Sequence, residues 1–517
     1  MKMRFLVFII FIIIVISYIF LFYLNSDYSL TKNTGDIVNS LIDEDGMDGS
    51  IDQGVGGELD CEDCNVIMIS LTNTRKDHLG IYGYSKNTTP NIDAFFKNSI
   101  IFNEAFAPAS WTLPVIASLF SSEFPYSHGV MDRYDGSGML DDKVLTLAEL
   151  LKEDGYKTAA FTGGGDHSSI FNFNQGFDVY QEGGGNGPRH YAGINQSIFS
   201  AIDWLKNNKN DNFFLLLQGY DTHCPFTPKQ PYDKMFDPDY EGGIDFSLCL
   251  WTFEKVKPIY ENDKKYWPLK SWYSGDGIKD VNLTDNDVEH MVSLYDGEIA
   301  QADNTLKDFF TEIENFGLDK NTIIIFMSEH GDLFGEHGRF MRGGPLRGTF
   351  YDQVLNFPLL IKHPKIDNPI YVDSLVQTVD IMPTLLDIMN IKDPQAELRQ
   401  GKSATFSIIN QTDFNDQIYA ASKFTPSNSN VYFSESSTVE VIRDNKWKLI
   451  KEKIFKNNEN LIEDMMGNSN LKQETQDFYE LYNIEDDPKE ENNLYGTNKK
   501  ITEKLKKDLE KWTDKFD

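Results

Sequence analysis

Four short apolar runs set the main constraint on this chain: VIMISL (66–71), TAAFT (158–162), FFLLLQ (213–218) and TIIIFM (322–327). Their length, and the near absence of alternating polar residues, fit strands covered on both faces, as in a parallel sheet. Helix-like segments lie between them. TLAELLKEDG (146–155) carries apolar residues at helical spacing, and DVEHMVSLYDGEIAQADNTLKDFFTEIENFG (287–317) is a long amphipathic stretch; both close on glycine. The alternation predicts an α/β domain with a mostly parallel central sheet flanked by helices. Ligands in such sheets bind beyond the carboxyl ends of the strands. Thr72 and Asn73, then Arg75, Asp77 and His78, follow the first run; Asp221, Thr222 and His223 follow the third; Glu329, His330 and Asp332 follow the fourth. Polar clusters at equivalent ends point to one common site.

Residues 5–24, FLVFIIFIIIVISYIFLFYL, carry no charge, and at helical rise they span about 30 Å, the hydrocarbon thickness of a bilayer. The run predicts an uncleaved N-terminal transmembrane helix, since no small-residue cleavage site follows it. Lys2 and Arg4 precede it, which places the N-terminus in the cytoplasm and the main domain outside, in a single-pass arrangement. Residues 25–60 are acidic and Gly-rich, with few large apolar residues, and read as a flexible linker. With 48 basic against 80 acidic residues, the formal charge of −32 argues against nucleic acid as a partner. The four cysteines are Cys61, Cys64, Cys224 and Cys249. In an exported domain they suggest two disulfides, with three pairings open.

SWTLPVIASLF (110–120) poses a local question. Pro114 suits the first turn of a helix, and Ser110 or Thr112 is placed to cap it. On local grounds Thr112 is a capping residue.

A wider pattern changes that reading. ISLTNTRKDHLGIYGYSKNTTPNID (69–93), SWTLPVIASLFSSEFPYSHGV (110–130), TLAELLKEDGYKTAAFTGGG (146–165), YDTHCPFTP (220–228), LYDGEIAQAD (294–303), SEHGDLFGEHG (328–338) and LRGTFYDQVLNFPLLIKHP (346–364) follow one another in an order that resembles the sulfatase family of the alkaline-phosphatase superfamily. SLVQTVDIMPTLLDIMNI (374–391) and the segment from KWKLI to ENNL (446–494) resemble its smaller C-terminal subdomain. The resemblance implies an alkaline-phosphatase-like α/β fold with a smaller α+β C-terminal subdomain. The corresponding divisions are 1–24 (cytoplasmic stub and membrane helix), 25–60 (linker), 61–365 (α/β domain) and 366–517 (the remainder, with the smaller subdomain and a terminal helix).

The family hydrolyses sulfate esters with a formylglycine nucleophile and a divalent cation, usually calcium. The resemblance places the nucleophile at Thr112, the motif's arginine at Ile116 and its serine-type position at Val115. It places the metal ligands at Thr72, Asn73, Glu329 and His330, and substrate-side groups at His128, His223 and Arg347. A threonine cannot become formylglycine, and a single carboxylate among the metal positions predicts weak calcium binding. The expected function is therefore a membrane-anchored sulfatase-like hydrolase with an altered metal and nucleophile site, acting on a sulfated carbohydrate or other anionic ester. The alternatives are an inactive pseudoenzyme that binds sulfated or anionic glycans, and a Thr-nucleophile phosphodiesterase or phosphoglycerol-type transferase. The aromatic stretch 247–277, with three tryptophans, is a candidate sugar-stacking platform or a packed insertion.

Overall fold

The computed structural model describes residues 58–133, 138–183, 191–251, 255–273, 277–341, 349–424, 436–455 and 475–516. The apolar run 5–24 and the linker up to residue 57 lie outside these residues. Among the described residues no helix is long and apolar enough to cross a membrane.

All four apolar runs are strands of one eight-stranded sheet. In chain order its strands are β1 (Asn65–Leu71), β2 (Ile100–Phe102), β3 (Lys157–Thr162), β4 (Val179–Glu182), β5 (Phe213–Gly219), β6 (Thr322–Met327), β7 (Leu359–Lys362) and β8 (Ile370–Val372). Their spatial order is β8-β2-β7-β6-β1-β5-β3-β4. β7 runs antiparallel to both of its neighbours, and every other pairing is parallel. The sheet is thus mixed at one side and parallel through its centre.

Side-chain alternation along β1 divides the core into two layers. Val66 and Met68 face α1 (Thr112–Ser121), α2 (Leu147–Glu153) and α5 (Ile381–Ile388), meeting Leu113, Ile116, Leu151 and Leu385. Ile67, Ile69 and Leu71 face α3 (Ile198–Asn208) and α4 (Asp285–Asn315), meeting Ala201, Leu205, Leu306 and Phe309. The sequence supplies the helix starts as well. Thr146 and Glu149 form a capping box on α2, and Thr284 and Asp287 form one on α4. α1 has no such cap: Trp111 precedes it and makes no side-chain capping bond, and among the described residues no side chain bonds its first amides.

A second, antiparallel sheet contains β9 (Ile418–Phe424), β10 (Ser436–Arg443), β11 (Trp447–Phe455) and β12 (Thr475–Asn483), in that order. Val439 and Val441 of β10 face the main core, while Ile442 packs with Leu505, Leu509 and Trp512 of α6 (Lys499–Thr513). Buried charge joins the two sheets. Lys448, fully buried on β11, lies 2.7 Å from both Asp352 and Glu490, and Arg443 bridges Asp352 to Glu104. Burial would raise the Asp352 carboxyl, but the Lys448 and Arg443 charges hold it below the usual range; burial pushes Glu490 up. The cysteines pair as Cys61–Cys64 and Cys224–Cys249, which resolves the open connectivity.

Removing one partner of a buried ion pair strands the other charge. Lys448→Met should therefore lower the unfolding free energy by about 3–5 kcal/mol, read from urea denaturation against the parent chain.

Candidate active site

β6, β1, β5 and β3 are parallel neighbours, so the loops leaving their carboxyl ends share one edge of the sheet. The start of α1 reaches the same edge. Thr112 is the first helical residue, and its Oγ1 lies 3.1 Å from His330 Nε2. His330 Nδ1 lies 2.8 Å from the Gly331 carbonyl. A carbonyl can only accept, so in the neutral form of the ring Nδ1 carries the proton and Nε2 accepts from the Thr112 hydroxyl. Thr112 does not cap the helix, because its hydroxyl is used across the site, and the Ser110 hydroxyl has no hydrogen-bond partner among the described residues.

Glu329, next to His330, is fully buried. Its Oε1 accepts from Ser70 Oγ at 2.7 Å and from His167 Nε2 at 2.9 Å. Burial would raise this carboxyl, but the His167 hydrogen bond and charge, with Ser70 and His330, hold it below the ordinary range. Asp166 precedes His167 and pairs with Arg133, whose guanidinium carbon lies 5.3 Å from the Trp111 ring centroid. Trp111 precedes Thr112. A closed ring results: Thr112 to His330 and Glu329, across to His167 and Asp166, then to Arg133, Trp111 and back to Thr112.

The other residues of the strand-end clusters distribute unevenly around this ring. Thr72 Oγ1 accepts from Gln218 Nε2 at 2.7 Å, and Asn73 Nδ2 donates to Asp332 at 3.1 Å. Asn73 stands at φ 69°, a left-handed conformation asparagine tolerates, where the chain turns off β1. Arg75 pairs with Asp77 and Glu336, and His78 with Asp296, away from the ring. Asp221 accepts from the Ile194 amide, and burial pushes it up to about 6. His223 stacks on Tyr191 with ring centroids 4.7 Å apart, and Tyr220 stands between its ring and that of His167. Arg347 lies outside the described residues.

His128, expected on the substrate side, is committed elsewhere. Its Nδ1 accepts from the Val130 amide and its Nε2 lies 3.0 Å from Ser118 Oγ, so it fastens the following loop to the flank of α1. In the insertion, Trp267 packs against Phe340 and donates to Asp285, which makes it a packing residue.

Comparison with known proteins places this geometry. The sulfatase family model matches residues 64–391, and a model described as N-sulphoglucosamine sulphohydrolase, C-terminal, matches residues 335–472. The chain belongs to the sulfatase family. It is 24% identical to an ulvan-active sulfatase of Formosa agariphila, over 84% of this chain and 76% of that protein. It is also 24% identical to arylsulfatase K of Rattus norvegicus, over 70% of this chain and 65% of that protein. A solved structure in complex with its substrate D-glucosamine-2-N, 6-O-disulfate shares the fold, with a TM-score of 0.64 at 19% identity, covering 88% of this chain and 98% of that one.

Measured against the calcium chemistry of the sulfatase family, the oxygen donors here do not fit. Calcium takes six to eight oxygens and its affinity follows carboxylate count. The only carboxylate at the implied ligand positions is Glu329, whose Oε1 is already shared by a serine and a histidine. Among the described residues Asn73 Oδ1 and Glu329 Oε2 are buried acceptors without partners. They supply two oxygens, and among the described residues no three His, Cys, Asp or Glu side chains gather as a metal group.

Several ring members were not singled out from the sequence: Ser70, Trp111, Arg133, Asp166 and His167. Asp166 and His167 follow β3 within GGGDHSS, so inspection of the second run's end by the rule applied to the other three would have found them. Arg133 has no comparable signal, because it arrives from a loop.

Burial pushes His128 down to about 3, from about 6.5 in an unfolded chain. The unfolded state then binds the extra proton first, so this residue's contribution is complete above pH ~6.5 and is lost as pH falls toward 3. His128→Gln should flatten the acid limb of stability between pH 7 and 4.5, measured by urea unfolding of both proteins.

Proposed function

We propose that this sulfatase-family chain hydrolyses a sulfate ester on a carbohydrate, with the Thr112 hydroxyl as nucleophile and His330 as its base. The observation that carries the reading is the Thr112–His330 hydrogen bond, with the ring tautomer set by the Gly331 carbonyl. An alcohol near its free pKa is a weak nucleophile, and an adjacent base activates it. In the first step His330 Nε2 takes the Thr112 proton as Oγ1 attacks sulfur. The bond to the sugar oxygen breaks, and the protonated ring returns its proton to that leaving oxygen. In the second step water attacks the threonine sulfate, His330 takes its proton and delivers it to Oγ1, and sulfate leaves.

No step is routed through a metal. His167 and Ser70 hold one oxygen of Glu329, Oε1, from the protein side, which supports a site whose shape is set by side chains. The substrate class rests on relatives: an ulvan-active sulfatase, and a solved neighbour bound to a disulfated glucosamine. The uncharged run at residues 5–24 supports placement on a membrane, with the domain outside the cell.

Thr112→Ala should abolish release of sulfate from sulfated oligosaccharides and from 4-nitrophenyl sulfate. His330→Gln should lower kcat by about 10²–10⁴-fold, the range of general-base catalysis. Parent protein that matches Thr112→Ala on both substrates overturns the hydrolase reading, and binding of a sulfated oligosaccharide in that case identifies a glycan-binding pseudoenzyme. In a separate measurement, millimolar calcium and a chelator should each leave the melting temperature unchanged. A ligand-type upward shift with calcium would show that a metal is held.

A further inference from the structure

At the helix start the chain lacks the arginine of the family motif. Ile116 stands there instead and is fully buried in the core, so α1 itself presents no cation beside Thr112. A guanidinium comes from another segment to Trp111, the residue before Thr112. Arg133 lies beyond the short helix Pro125–His128, over the Trp111 ring, and its Nη2 pairs with Asp166 Oδ2. Asp166 is 2% exposed and is fixed in turn, its amide donating to the Tyr220 hydroxyl at 2.8 Å. Arg133 is the one arginine or lysine of the ring.

The surroundings suit an anion. α1 is ten residues long and uncapped, so its first amides and the positive end of its dipole are unspent. The two residues before it add donors: Ser110 Oγ and Trp111 Nε1 are both buried and, among the described residues, both without a hydrogen-bond partner. Desolvated donors of this kind cost stability unless a ligand meets them. Hydroxyl, indole N–H, helix amides and a planar guanidinium together match the oxygens of a tetrahedral oxyanion.

We propose that Arg133 orients the oxyanion at this site, held over Trp111 by Asp166 so that a sulfate or phosphate ester is seated at the start of α1. The proposal deepens the hydrolase reading and rests on it for the reaction, but not for the binding. Trp111 and Asp166 are positioning residues: they fix the guanidinium plane, and Arg133 meets the anion.

The test uses the full chain in a Thr112→Ala background, where turnover is absent, and titrates inorganic sulfate and inorganic phosphate separately by calorimetry. Arg133→Ala should weaken anion binding about ten-fold or more, the scale of one charge-assisted hydrogen bond. Arg133→Lys should retain part of the affinity, and free guanidinium ion should restore part of it to Arg133→Ala. A preference for sulfate or for phosphate identifies the ester class, and either upholds the proposal. Equal affinity in parent and Arg133→Ala overturns it, as does a loss that guanidinium does not rescue and that follows a fall in melting temperature. With Thr112 restored, Arg133→Ala should raise KM and lower kcat. Turnover that needs Thr112 but ignores Arg133 overturns this inference alone. Arg133-dependent anion binding without turnover in any protein overturns the hydrolase reading alone.

Discussion

Parallel pairing of β6, β1, β5 and β3 is the constraint on which the site depends. Parallel strands need crossover connections, so each of these strands delivers its loop to the same edge. Ser70 and Thr72 arrive from β1, Gln218 and Tyr220 from β5, Asp166 and His167 from β3, and Glu329 and His330 from β6. The two apolar layers hold that arrangement. β1 alone contributes Val66 and Met68 to one layer and Ile67, Ile69 and Leu71 to the other. Lys448 and Arg443 then bind the second sheet to Asp352, whose short helix follows the segment carrying Arg347.

Within this frame the buried polar groups at the strand ends are held by other side chains of the protein. A cage of carboxylates needs a multivalent ion to be tolerable in a buried position. Here Thr72 and Asn73 are neutral, and each makes a side-chain hydrogen bond, to Gln218 and to Asp332. Glu329 spends one oxygen on Ser70 and His167. The remaining carboxylate of the ring, Asp166, is met by Arg133. His330 turns Nε2 to Thr112.

The sequence exposed the fold through periodicity. Buried strands are continuous apolar runs and the capped helices carry their own start signals, so TIIIFM and the Thr146 capping box were readable without a structure. The strand-end rule likewise located Thr72, Asn73, Glu329 and His330. It was silent on what those side chains would touch, because partners such as Thr112 and His330, 218 residues apart in the chain, meet only through tertiary packing. His128 shows the reverse failure. A histidine in a family-like segment reads as a substrate contact, but the Val130 amide and Ser118 engage both its nitrogens. Arg133 left no trace in periodicity or spacing, since a loop arginine acquires its meaning from Asp166 and Trp111.

The central claim is that the Thr112 oxygen itself attacks the ester. The direct measurement is a peptide mass spectrum of the full chain quenched during reaction with 4-nitrophenyl sulfate, in parent and His330→Gln protein. The account predicts a sulfo group on Thr112, formed in the parent and slowed when His330 is replaced. Sulfate release from the parent with Thr112 unmodified at every time point, or with the label on another side chain, would contradict it.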